Sequence, residues 1–261
     1  MTSMALDPEY IDRAAKILRS ARRILFVTGA GISADSGLPT YRGIGGLYER
    51  GATDEGIPIE VALSGAMMKR DPALCWKYIA QIERACRGAT FNAAHAFLAE
   101  VEAEVPGTWV LTQNVDGFHR AAGSRQVIEI HGDVHRLACG VCAWRDVVGD
   151  YSALEIPPRC PGCGSVVRPE VVLFGELLPD DAVRTMNTQL SRGFDAVVSI
   201  GTTSAFPYIA GPVIEAARSG VPTIEINPDR TEVSELVTLR LEARAAAALI
   251  AIRERWHATP S

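Results

Sequence analysis

"RILFVTGAGISADSGLPTYRG", residues 23–43, sets the reading of the whole chain. It opens with a short, nearly continuous apolar run, the pattern of a strand covered on both faces. "GAGISA" follows at once, and a glycine-rich turn between a strand and a helix is the context in which the G-x-G-x-x-G/A pattern carries meaning. Gly29 and Gly31 would let the backbone approach a pyrophosphate, and the amides of the helix start, from Ala30 to Ser33, would meet its charge. A dehydrogenase-type turn continues into a full helix and a second strand ending in an acidic residue about 20 positions on. This chain instead keeps producing Gly, Ser and Pro, and no apolar strand leads into Glu49.

Working outward, similar runs recur at 108–112, 126–130, 195–200 and 223–226, with helical periodicities around them at 7–21, 92–103, 180–190, 208–220 and 242–256. The first of these helices opens with Asp7 as its cap and Pro8 at its first position. The alternation predicts an α/β fold, a Rossmann-like doubly wound parallel sheet. Two stretches interrupt it, the helical-looking 58–88 and the cysteine-bearing 132–168, and predict an inserted smaller lobe.

Polar and glycine-containing motifs stand immediately after each strand: "GAGIS", "QNVDGFH", "HGDVH", "GTTS" and "NP". Ligands of open α/β sheets bind outside the carboxyl ends of the strands, so five such motifs on one edge predict a long ligand lying across it. A dinucleotide has that length.

Four of the six cysteines form two pairs, Cys139-x2-Cys142 and Cys160-x2-Cys163, with 17 residues between the pairs. This is zinc-ribbon spacing, and Gly and Pro at the two turns help aim paired thiolates at one ion. Four thiolates complete a tetrahedron, so the zinc is expected to be structural and the chemistry to reside elsewhere. Cys75 and Cys86 fall in a helical segment and read as ordinary buried thiols.

With 261 residues, 48% hydrophobic and 22% charged, the chain can build one sizeable core or two unequal ones. A formal charge of −5 without clustered Lys and Arg excludes a general nucleic-acid binder. No apolar run approaches the roughly 18 residues of a membrane span, and "MTSMALDPEY" lacks a basic region followed by an apolar one. No membrane partner and a cytoplasmic location are therefore expected.

From Thr28 to Pro228 the motifs "GAGIS", "GLPTYRG", "TQNVDGFH", the "HG" of "EIHGDV", the paired cysteines, "RPEVVLFGE", "IGTTS" and "INP" occur in one order. In that order the chain resembles the sirtuins, NAD-dependent protein lysine deacylases. The resemblance makes the Gly/Pro-rich run after the glycine turn a mobile loop closing over the nicotinamide ribose, where Tyr41 would shield the reacting face and Arg42 would touch phosphate or ribose. It implies an NAD-binding domain built from 1–40, 92–131 and 176–261. A cofactor loop and helical module would occupy 41–91, and the zinc-ribbon module and substrate strand 132–175.

By the same resemblance an acetylated-lysine protein or peptide displaces nicotinamide from NAD, and the acyl group leaves on ADP-ribose. His131 would be the general base, and an imidazole suits that task near neutral pH. With Asn114 it makes the catalytic pair. Gln113, Asn114 and Asp116 would hold ribose hydroxyls, an ordered water and the nicotinamide carboxamide. Gly29, Ala30, Gly31, Ser33, Gly201, Thr202, Ser204 and Asn227 would line the rest of the dinucleotide. "VVLFGE" would pair with substrate backbone as an extended edge, with Val172 and Phe174 lining the lysine tunnel. His95 and His119 sit in helical patterns and read as capping or packing residues.

The chain departs from the sirtuin pattern in three places. "GTTSAFPYI" is one residue short after Thr202. "LRLEARAAA" lacks the glycine of a late adenine-contacting loop. Tyr78 is followed three residues on by Gln81 rather than the arginine that holds acidic acyl groups, which favours acetyl or longer uncharged chains, since an unpaired carboxylate is costly to bury. Two other classes share some of these features: a mono-ADP-ribosyltransferase, which has the same first step, and a non-catalytic NAD-sensing module.

Overall fold

A computed structural model describes residues 6–38 and 53–258. In chain order its elements are α1 (Pro8–Ser20), β1 (Ile24–Thr28), α2 (Ala30–Ser33), a 3-10 turn (Ala34–Ser36), α3 (Ile59–Ala62), α4 (Gly65–Arg70), α5 (Pro72–Cys86), α6 (Ala93–Glu104), β2 (Trp109–Thr112), α7 (Phe118–Ala121) and β3 (Val127–Glu129). There follow β4 (Gly132–Cys139), β5 (Arg145–Val147), β6 (Val167–Val171), α8 (Asp180–Ser191), β7 (Ala196–Ile200), α9 (Pro207–Arg218), β8 (Thr223–Ile226), β9 (Leu239–Leu241) and α10 (Ala245–His257).

The long helices start where their caps dictate. Asp7 accepts from the Glu9 amide at 2.9 Å with Pro8 at the first position, and Asp71 followed by Pro72 does the same for α5. Asn92 and His95 close a capping box at the start of α6.

Six parallel strands form the main sheet in the order β3-β2-β1-β7-β8-β9. Alternate residues of one strand feed opposite cores. Ile24 and Phe26 join Leu18, Phe97, Leu98 and Leu249 beneath α1, α6 and α10, whereas Leu25 and Val27 join Met186, Ile209 and Val213 beneath α8 and α9. Each fully buried side chain of this size contributes roughly 1.5–3 kcal/mol, so covering both faces explains the near-continuous apolar runs. Chain order reverses between β1 and β7, which opens the crevice of a doubly wound sheet at their carboxyl ends.

The sixth strand, β9, occupies the sequence expected to be a loop. Its middle residue, Arg240, pairs with the buried Glu225 of β8 at 3.2 Å, and this pairing brings a charged residue into an edge strand.

A second, three-stranded antiparallel sheet has the order β5-β4-β6. It shares its own core with α3 to α5: Trp76 is fully buried, donates to the Val167 carbonyl at 2.8 Å and packs on Tyr151 at 5.4 Å between centroids. Gly132 swings the chain from one sheet to the other. Its φ is +84°, and a Cβ there would lie 1.9 Å from the Glu170 carbonyl oxygen, so no other residue fits. None of the described helices is long and apolar enough to cross a membrane.

Candidate active site

The strand-end motifs meet at the crevice and bond one another. The turn after β1 packs so closely on the turn after β7 that a Cβ on Gly31 would lie 2.6 Å from Gly201 Cα, and the Gly31 amide donates to the Gly201 carbonyl at 2.8 Å. The close approach that the first glycines permit is therefore to the chain itself, and one of the amides expected to face an anion is already engaged. Gln113 Nε2 donates to Thr202 Oγ1 at 2.7 Å, the Ser204 amide donates to the same oxygen at 3.1 Å, and Asn227 Nδ2 donates to the Thr202 carbonyl at 3.0 Å. Ser204 adopts φ +56°, and its buried Oγ has no partner among the described residues. A strained turn with an orphan hydroxyl suits a polar ligand that the crevice is shaped to receive.

Beside this rim a second network centres on the Ser33 hydroxyl. It donates to Asp116 Oδ2 at 2.7 Å and accepts from Asn114 Nδ2 at 3.1 Å; Asn114 also donates to the Gly29 carbonyl. His95 completes the set, because its Nδ1 accepts from the Asn92 amide and its Nε2–H is left to donate to Ser33 Oγ at 3.4 Å. Burial pushes the Asp116 carboxyl up from its usual range, against the lowering pull of bonds from Phe118 and Ser33.

His131 stands two residues beyond the end of β3. Its Nδ1–H donates to the Gln113 carbonyl at 3.1 Å, which fixes the tautomer and leaves Nε2 with the lone pair. Desolvation lowers its pKa, partly offset by the bond to Gln113, so the ring is neutral at pH 7 and able to accept a proton.

The family model described as "Sir2 family" matches residues 29–206. Among curated proteins the chain is 54% identical over 237 residues to NAD-dependent protein deacylase 2 of Pseudomonas syringae pv. tomato, covering 90% of this chain and 95% of that one. It is 52% identical over 238 residues to NAD-dependent protein deacylase 2 of Pseudomonas aeruginosa, covering 90% and 93%. A solved Sir2 homologue–NAD complex superposes with a TM-score of 0.82 at 32% identity, covering 94% of this chain and 93% of that one. The chain belongs to the Sir2 family.

Within this Sir2 fold the four paired cysteines converge: their sulfurs all lie within 4.8 Å of one another, with Cys139 to Cys163 and Cys142 to Cys160 each at 3.5 Å. That is far longer than a disulfide bond and suits four thiolates around one ion. Amides of Val141 and Cys142 donate to Cys139 Sγ at 3.4 Å each, the outer bonds that steady a thiolate ligand. Cys75 and Cys86 lie apart from this cluster, and burial pushes both thiols up to about 11.

Tyr41 and Arg42 lie outside the described residues. Regular strand ends at Val171, the first residue of "VVLFGE"; the Val172 amide donates to the His131 carbonyl at 2.9 Å. The Phe174 amide donates to the Leu63 carbonyl, and its own carbonyl accepts from the Gly65 amide. Those main-chain groups therefore tie the segment to the protein and are not open for pairing. His119 is buried behind Thr28, its Nε2 2.9 Å from Thr28 Oγ1, and desolvation drops its pKa to about 3.

Two residues around His131 escaped the sequence reading. Tyr208 Oη lies 2.7 Å from His131 Nε2, and the Phe206 and Tyr208 rings stack at 5.4 Å and 15° with the imidazole edge-on to both. The shortened "GTTSAFPYI" was the available signal: two aromatics flanking a proline directly after a strand-end motif.

Proposed function

We propose that this chain is an NAD-dependent protein lysine deacetylase. The observation that supports it best is a neutral, tautomer-fixed His131 at the crevice, beside the Ser33–Asn114–Asp116 network, in a chain more than half identical to proteins named NAD-dependent protein deacylase. NAD supplies the electrophilic anomeric carbon from which nicotinamide departs and the ADP-ribose on which the acyl group leaves.

His131 is the general base at Nε2, because Nδ1 is committed to Gln113. Asn114 and Asp116, steadied by Ser33, hold the nicotinamide end and a ribose hydroxyl. Gln113, Gly201, Thr202, Ser204 and Asn227 form the rim along the phosphates and adenosine ribose, with Gly29, Ala30 and Gly31 as its floor and Tyr41 and Arg42 in the loop above. Val172 and Phe174 line the acyl-lysine entrance, and the chain divides into the lobes expected from its sequence. Cys139, Cys142, Cys160 and Cys163 hold zinc as a closed structural staple.

Uncharged acyl groups are the preferred substrates. The Tyr78 hydroxyl donates to Glu55 and accepts from the Asp54 amide, and Lys77 pairs with both carboxylates, so neither is aimed at an acyl carboxylate. Four reduced cysteines fit a cytoplasmic setting. Incubation with NAD and an acetyl-lysine peptide should release nicotinamide in step with peptide deacetylation. Release that ignores the peptide would refute the reading, as would deacetylation without NAD.

A further inference from the structure

We infer that the proton acceptor in this chain is a pair, with Tyr208 passing the proton of the substrate hydroxyl to His131. The pairing rests on the deacylase reading above. A neutral imidazole has one lone pair. In His131 that lone pair is on Nε2, since Nδ1–H donates to Gln113, and the Tyr208 hydroxyl occupies it at 2.7 Å. While this contact stands, a proton reaches His131 through the Tyr208 oxygen.

The placement of Tyr208 supports such a route. It lies in the first turn of α9, after β7, whereas His131 follows β3, and two strands, β2 and β1, stand between them in the sheet. The hydrogen bond thus spans the crevice in which a strand-end ligand lies. Phe206 fixes the tyrosine ring by parallel stacking at 5.4 Å, and Tyr208 is half-buried at the edge of the cleft. Burial raises the phenol pKa, so the hydroxyl keeps its proton at neutral pH and has one to give.

The transfer balances. The ribose O–H bond breaks as Tyr208 Oη takes that proton, and the Tyr208 O–H bond breaks as Nε2 takes the other. The electron pair left on the ribose oxygen forms the bond to the acyl carbon, and the double-bond pair of that carbon moves onto the lysine nitrogen. Tyr208 ends neutral, and His131 ends as an imidazolium with both N–H groups partnered.

Tyr208→Phe keeps the stack and removes the oxygen. In steady-state turnover of an acetyl-lysine peptide it should lower kcat about 100-fold or more, the scale of a lost acid–base function, with KM for NAD nearly unchanged. The Tyr208→Phe/His131→Ala double variant should be no slower than His131→Ala alone, because the two act in one step. A Tyr208→Phe enzyme with kcat within about threefold of wild type would overturn the pairing, showing that substrate simply displaces the phenol. A double variant slower by the full Tyr208→Phe factor would also overturn it. Should the variant fail to fold, a proton inventory on the wild-type enzyme decides: a curved dependence on deuterium content supports two protons in flight, and a linear one refutes it. Wild-type enzyme that releases no nicotinamide with the peptide overturns the deacylase reading and the pairing together.

Discussion

Gly201→Ala tests whether the crevice is built by contact between the β1 and β7 turns. Gly201 adopts φ +58°, and an added Cβ would lie 2.5 Å from Gly31 C and from Ile32 N. A left-handed non-glycine residue costs about 1–2 kcal/mol, relieving such an overlap roughly 1–3 kcal/mol, and losing the Gly31-to-Gly201 bond about 1 kcal/mol. The sum is about 3–6 kcal/mol, which for a domain of this size lowers the melting temperature by on the order of 10 °C. Gly193→Ala is the control. Its φ is +73°, and a Cβ there meets none of the described residues within 4 Å, so only the backbone penalty applies. Thermal melts of both variants with and without NAD give the measurement: Gly201→Ala should melt far below Gly193→Ala and lose its stabilisation by NAD. A Gly201→Ala protein that melts with the control and is equally protected by NAD would refute the idea that these turns must touch.

His131→Ala should abolish deacetylation, by roughly 100-fold or more, while calorimetry still shows NAD binding; unchanged turnover would remove His131 from the mechanism. Chelation of zinc, or Cys163→Ser, should melt the small sheet and expose Trp76, read as a red shift of tryptophan emission together with stoichiometric zinc in the wild type. A metal-free protein with native emission and activity would contradict the staple. Stability should fall in acid. His95, desolvated to about 4, and His119 stay neutral in the folded protein, whereas the unfolded chain protonates near 6.5. The unfolded state thus binds more protons in this window, so stability is full above pH 6.5 and is lost as pH falls towards 4, by about 3 kcal/mol for His95 alone. His95→Gln should flatten that slope in urea titrations, and an unaltered slope would exclude His95 as its source.

Legibility in the sequence followed periodicity. Five strands of the main sheet stand out because both faces are covered, so apolar residues run almost continuously and end at polar motifs. The sixth, Leu239–Leu241, has three residues with an arginine at its centre, and only the tertiary partner Glu225 makes that arginine compatible with a strand. The zinc ligands were readable because two paired turns impose fixed spacing. The small sheet around them was not, since β5 is exposed throughout and carries no alternation. Roles inside motifs were harder to read than the motifs. Gly29 and Gly31 look like a pyrophosphate cradle in one dimension, but the contact that requires them is Gly201, about 170 residues away and visible only after the sheet closes. His131 was legible as a histidine ending a buried strand. Its partner Tyr208 was not, because α9 reaches it across two intervening strands.

The most direct test follows the acetyl group. A peptide carrying isotopically labelled acetyl-lysine is turned over with NAD, and the products are resolved by mass spectrometry alongside a succinyl-lysine peptide. Labelled acetyl-ADP-ribose equal to the nicotinamide released, with little product from the succinyl peptide, is the expected result. Label appearing as free acetate without nicotinamide, or ADP-ribose left attached to protein, would contradict the assignment of an NAD-dependent deacetylase.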